Sequence, residues 1–148
     1  MTATVTSIVY SPQPGSYNRK PLAQAVLLAG YGIDGDRKAG NPKRNLNIMD
    51  QETLDFLDAE GIPTGPGVLG ENLILEGVRL DAQAPGTRIR IGQEALVEMV
   101  ELRAPCYKLT ALDARMPDFA VGRVGVMARV VEGGVVRVGD AVAIVDGA

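Results

Sequence analysis

Two stretches of the chain are built alike: "PGTRIRIGQEALVEMVEL" and "EGGVVRVGDAVAIVD" each hold a run of β-branched residues, a glycine-bearing turn and a second such run. Period-two runs of this kind need partner strands to satisfy their backbone groups, so the pattern restricts the chain to architectures rich in strand. Both read as hairpins, the second turning at Gly139 and Asp140. The alternating positions Ile89 and Ile91, then Leu96, Glu98 and Val100, predict strands that close into a barrel or nearly so, leaving few edges.

The rest of the chain fits that grammar. "ATVTSIVYS" reads as a first strand ended by the turn-rich "PQPGSYN". "KPLAQAVLLAG" is compatible with a strand or a short helix, and its length between Pro21 and Gly30 favours strand. "NLNIM" predicts a short strand, and Leu73–Leu75 another. One convincing helix follows Asp50, whose carboxylate suits an N-cap: "QETLDFLDAE" carries Leu54, Leu57 and Phe56 on an apolar side and Gly61 just past its end.

At 148 residues, with 46% hydrophobic and 22% charged residues, the chain reads as a single folded domain spanning residues 1–148. No apolar run approaches the ~20 residues of a membrane span, and the opening "MTATVTSIVYSP" lacks a basic segment followed by an apolar one. The expectation is a cytoplasmic protein with no membrane partner. A net charge of −3 gives no general attraction to nucleic acid, so any anion site must be local.

The chain contains no histidine, which removes Ser-His-Asp and Cys-His devices, histidine-ligated zinc and a histidine general base. Its single cysteine excludes an intramolecular disulfide. That cysteine, Cys106, sits in "ELRAPCYKLTALD". Pro105 suits the first position of a helical turn, which would place the sulfur at the positive end of a helix dipole. Arg103 and Lys108 flank it; together these features favour a thiolate, nucleophilic or metal-binding. A buried, inert cysteine that only fills space is equally consistent with the spacing.

In "GDRKAGNPKR" four of the 15 cations fall between Arg37 and Arg44. Glycines permit close backbone approach and arginine forks match phosphate oxygens, so the loop suits an anionic small molecule; a solvated surface loop is the alternative. No Gly-x-x-x-x-Gly-Lys-Ser/Thr occurs, so a nucleotide P-loop is unsupported. In "GENL", Asn72 suits a ligand amide or its own loop backbone, and Glu71 is the neighbouring carboxylate.

In order along the chain, "GIDGDRKAG", "RNLNIMDQETLDFL", "PGVLGENLILEG", "RAPCYKL" and "GRVGVMARVVEGGVVRVGD" resemble the MOSC family, the molybdenum-cofactor-sulfurase C-terminal domain, in its short stand-alone bacterial form. The resemblance implies a mainly β fold, a barrel of the MOSC and pyruvate-kinase-barrel kind, with a few short helices. It implies association with the molybdenum cofactor, a molybdopterin whose dithiolene and phosphate must be held. Cys106 matches the family's cysteine and becomes the candidate catalytic residue and metal ligand. Asp36, Arg37, Lys38, Arg44, Glu71, Asn72, Arg103, Lys108 and Arg123 become the candidate cofactor contacts.

The function that follows is binding the cofactor, carrying sulfur on Cys106, or both, with molybdoenzymes or a sulfur-donating cysteine desulfurase as partners. Thiolate suits either use, and neither needs histidine. Two alternatives stay open: a cofactor-dependent reductase of N-hydroxylated compounds that draws electrons from a partner reductase, and a non-catalytic module with an inert cysteine. Lys38 stands where many relatives carry histidine; it keeps the cation and loses the neutral acceptor form.

Overall fold

The computed structural model describes residues 3–12, 19–36, 39–41, 44–65, 67–103 and 125–145. Seven strands close into a barrel in the order β11-β7-β8-β9-β5-β6-β1, with β1 and β11 joined to complete the ring. They are β1 (Ala3–Tyr10), β5 (Leu46–Asp50), β6 (Leu73–Glu76), β7 (Arg88–Ile91), β8 (Ala95–Leu102), β9 (Val126–Glu132) and β11 (Ala141–Val145). β2 (Lys20–Pro21) pairs antiparallel with the end of β1, while β3 (Gln24–Leu28), β4 (Gly32–Ile33) and β10 (Gly134–Arg137) form a second, three-stranded sheet.

The barrel fills with the residues of one face of each strand. Ile8, Leu46, Ile48, Leu73, Leu75, Ile89, Ile91, Val97, Val126 and Ala128 belong to one continuous buried cluster. Register decides which face that is. Ile89 pairs with Val97 and Ile91 with Ala95, so the inward residues of β8 are Ala95, Val97 and Met99. The alternate positions Leu96, Glu98 and Val100 therefore take the other face, and Glu98 accepts from Arg88 and Arg129 there.

The hairpin of β7 and β8 forms as its sequence predicts, turning through Gly92. The second hairpin does not. β10 pairs with β3, whereas β11 pairs with β7 and β1, so the Gly139–Asp140 turn moves the chain from one sheet to the other. The physical reason is closure: both edges of β11 are taken up in completing the ring, which abolishes two free edges. Residues 20–28 are strand, in two short pieces separated by Leu22 and Ala23.

One parallel pairing interrupts the antiparallel ring, between β5 and β6, and the connection carries the helix α1 (Gln51–Ala59). Asp50 caps it, its side chain accepting from the Thr53 backbone N–H at 3.1 Å. Leu54 and Leu57 pack with Met49, Ile62, Leu69 and Ile74 into a small cluster on the outer face of the barrel wall. Phe56, expected on that apolar side, is 37% exposed: it lies away from the face that Leu54 and Leu57 bury.

Candidate functional site

The outer face of β5 has a polar half beside the apolar one. Leu46 and Ile48 point into the barrel, Met49 joins the cluster beneath α1, and Asn47 shares Met49's side of the strand. Asn47 and Asn45 are both almost fully enclosed, at 0% and 2% exposure. Buried amides must be engaged, and tracing their partners outlines a polar frame.

Asn47 and Asn72 embrace through their backbones and one side chain: the Asn72 N–H donates to the Asn47 carbonyl at 2.7 Å, and the Asn47 N–H to Asn72 Oδ1 at 3.0 Å. Asn72 Nδ2 reaches the Val9 carbonyl at 3.3 Å and Asp36 Oδ2 at 3.4 Å. Asp36, 2% exposed, takes a further bond at Oδ1 from the Ser11 N–H at 2.9 Å. Asp36, near the start of the basic loop, is thus docked onto the "GEN" turn and the end of β1.

Glu71 is 1% exposed and folds its own loop around itself, accepting the N–H groups of Gly67 at 2.6 Å and Leu69 at 3.1 Å. Burial pushes its carboxyl above the usual carboxylate range, and the backbone donors and nearby Arg19 offset only part of that. Asn45 does similar work at the other end of the basic loop. Its Nδ2 donates to the carbonyls of Asn41 and Gly30, and its Oδ1 accepts from the Val130 N–H at 2.9 Å. Arg44, half-buried, is paired with Asn41 across that loop.

The strand that leads toward Cys106 joins the same frame. Arg103 follows β8; its backbone N–H donates to the Gly125 carbonyl at 2.9 Å and its guanidinium donates to the Leu69 carbonyl. Gly125 must be glycine, with φ +86° and a Cβ position only 2.2 Å from the Ile48 carbonyl oxygen. These contacts fix both ends of the segment between Arg103 and Gly125 against β5 and the glycine-rich loop. Cys106, Lys108 and Arg123 fall within that segment and, with Arg37 and Lys38, lie outside the described residues.

Of the candidate contacts that are described, Asp36, Glu71, Asn72 and Arg103 come together, and Arg44 is held on the loop that Asp36 opens. The two carboxylates and Asn72 direct their polar atoms at the protein's own backbone and at each other. They build the frame. Among the described residues, Asn47 Oδ1 is the one buried side-chain oxygen or nitrogen without a hydrogen-bond partner. Arg19 was not apparent from sequence, yet its guanidinium donates to the Gly67 carbonyl, on the same turn that Arg103 grips. Asn45 and Asn47 carried a readable signal, since two amides at period two in "NLNIM" conflict with a strand whose five residues, Leu46–Asp50, are all buried.

No helix of the described residues is long and apolar enough to cross a membrane, and no group of three or more metal-ligating side chains occurs among them. The model of the MOSC domain matches residues 35–143. The YuaD protein from Bacillus subtilis has a similar crystal structure, with a TM-score of 0.79 at 21% identity over 96% of this chain and 94% of that one. YiiM from Geobacillus stearothermophilus gives 0.75 at 23% identity over 97% and 75%, and YiiM from Escherichia coli 0.71 at 24% over 97% and 70%. At such identities the likeness is one of fold. Among curated proteins, none matches the sequence.

Proposed function

The chain belongs to the MOSC domain family, which is associated with the molybdenum cofactor, and from that premise we propose that it holds this cofactor and uses Cys106 as a molybdenum ligand or sulfur carrier. The observation that carries the reading is convergence. "GDRKAG", "GEN" and "RAPC" are far apart in sequence, yet Asp36 bonds Asn72, and Arg103 bonds the turn that Glu71 organises.

The residues suit the group. Arg103, with Arg37, Lys38, Arg44, Lys108 and Arg123 in the same motifs, supplies cations for its phosphate. Asn47 Oδ1 is an unpartnered acceptor beside the frame, matching the donor-rich edge of a pterin. Asp36, Glu71 and Asn72 position the loops that carry these groups. When bound, the cofactor supplies a molybdenum-dithiolene centre able to accept a thiolate or a transferred sulfur.

Cys106 needs only one property for either role, a populated thiolate, and Arg103 and Lys108 in its immediate sequence favour it. Mass analysis of protein from a cofactor-producing host separates the two. A persulfide adds about 32 Da to Cys106, the mass of one sulfur atom, and marks a carrier fed by a desulfurase. An unmodified thiol in protein that retains molybdenum marks a ligand. Reductase turnover with a partner electron donor is then assayed on the loaded protein. A thiol that alkylates no faster than free cysteine, in protein without metal or added sulfur, contradicts both roles.

A further inference from the structure

We propose that the carboxylates of Glu94 and Asp140 lock the edge of β10, standing in for a partner strand and so keeping a second copy of this chain from pairing there. The lock lies outside the frame around Asp36, Glu71 and Asn72 and needs no cofactor.

β10 is an end strand of the three-stranded sheet and is bonded on one side to β3. In an antiparallel pair, successive residues turn their N–H and C=O groups alternately toward the partner and away from it. The Val138 N–H donates to the Ala23 carbonyl at 3.0 Å, on the β3 side. Gly134 and Val136 therefore share that direction, and Val135 and Arg137 face outward. Both outward N–H groups are taken by side chains. The Val135 N–H donates to Glu94 Oε2 at 3.0 Å, and the Arg137 N–H donates to Asp140 Oδ2 at 2.8 Å.

The two acceptors come from different parts of the chain. Asp140 follows the turn after β10, and its own N–H donates to the Arg137 carbonyl at 3.0 Å. It thus accepts from Arg137 and donates to it, as the opposite residue of a partner strand does. Glu94 belongs to the turn between β7 and β8, 41 residues from Val135. It can approach because residue 134 is glycine: a Cβ there would lie 2.4 Å from the Glu94 Cβ. Glu94 and Arg137 are exposed, while Val135 and Asp140 are half-buried.

A bare edge strand is a template for another chain. β4, at the other end of the sheet, has two residues and offers little ladder, whereas β10 has four. Without the two carboxylates, β10 presents two outward N–H groups and the Val135 carbonyl in the order an antiparallel strand requires. A second β10 related by a two-fold axis presents the same groups in complementary order, so the occupant kept out is another copy of the chain. The outer face of the sheet favours such an extension, since Val26, opposite Val135, is 42% exposed and Leu28 38%.

Amide hydrogen exchange tests the lock and sedimentation velocity tests its consequence, both on the full chain. Glu94→Ala should speed exchange at Val135, and Asp140→Ala at Arg137, by roughly three- to tenfold, with the Val136 and Val138 amides unchanged. The double variant Glu94→Ala/Asp140→Ala should associate as concentration rises, more strongly than the parent. Glu94→Gln/Asp140→Asn, whose amide oxygens still accept, should behave as the parent. Adding Val135→Pro to the alanine pair removes one outward donor and should reverse the association, because an edge strand tolerates proline where its N–H faces away. Thermal unfolding verifies that each variant keeps the fold. Unchanged exchange at Val135 and Arg137, an alanine pair that sediments like the parent, or association that survives Val135→Pro would overturn the proposal.

Discussion

Replacing Glu71 by alanine removes the acceptor for two backbone N–H groups in the interior of the glycine-rich loop. Gly67 and Leu69, which donate at 2.6 and 3.1 Å, are themselves buried, so water cannot substitute freely. Each buried donor left unsatisfied costs about 1–3 kcal/mol, and the relief of a buried charge offsets part of the total. A net loss of about 2–5 kcal/mol follows, which for a chain of this size lowers the melting temperature by roughly 5–15 °C.

The deficit also depends on pH, with a defined sign. The folded-state pKa of Glu71 is raised above the unfolded value, so the native state binds the proton more tightly. Its contribution is fully present below the unfolded pKa and is lost as pH rises through the folded one. The gap between the parent and Glu71→Ala should therefore widen as pH falls from neutrality toward the ordinary carboxylate range, measured by urea denaturation followed by circular dichroism. A melting temperature within about 2 °C of the parent, or a gap that narrows at the lower pH, would refute the account of the loop.

Two further substitutions probe the rest of the frame. Gly125→Ala must push a Cβ into the Ile48 carbonyl at a positive φ and should cost about 2–4 kcal/mol, read from the urea midpoint; an unchanged midpoint would mean the β8–β9 exit is not fixed against β5. Asn72→Asp keeps the acceptor for Asn47 but sets a carboxylate against Asp36 Oδ2, so it should destabilise by about 1–3 kcal/mol, read from the urea midpoint at neutral pH. An unchanged midpoint would argue against the contact.

The barrel was legible because its inward residues recur at period two and its helix carries its own cap. What the pattern left open was pairing: alternation assigns a residue to a face, whereas the partner strand depends on closure, a property of the whole ring. Val135 and Val142 look like members of one hairpin in sequence and belong to different sheets in the fold. The same distinction applies to the site. Asp36, Glu71, Asn72 and Arg103 were recognisable by motif, but their use of backbone partners was not, since a buried carboxylate and a ligand-facing one have the same letter.

Arg19 was invisible for a different reason. It stands in a turn-rich stretch with no motif of its own and acquires meaning only when the fold sets it against Gly67 and Gly70. Asn47 could have been found: an amide in the middle of a strand whose neighbours are all enclosed requires a polar partner somewhere.

The most direct test of the central claim is the molybdenum and pterin content of the chain purified from a cofactor-producing host, compared with Cys106→Ser at matched melting temperature. The account predicts both components bound to the parent, with molybdenum lost from the variant if the sulfur is its ligand, or the added sulfur lost with metal kept if it is a carrier. Neither metal, pterin nor added sulfur on the parent chain would contradict it.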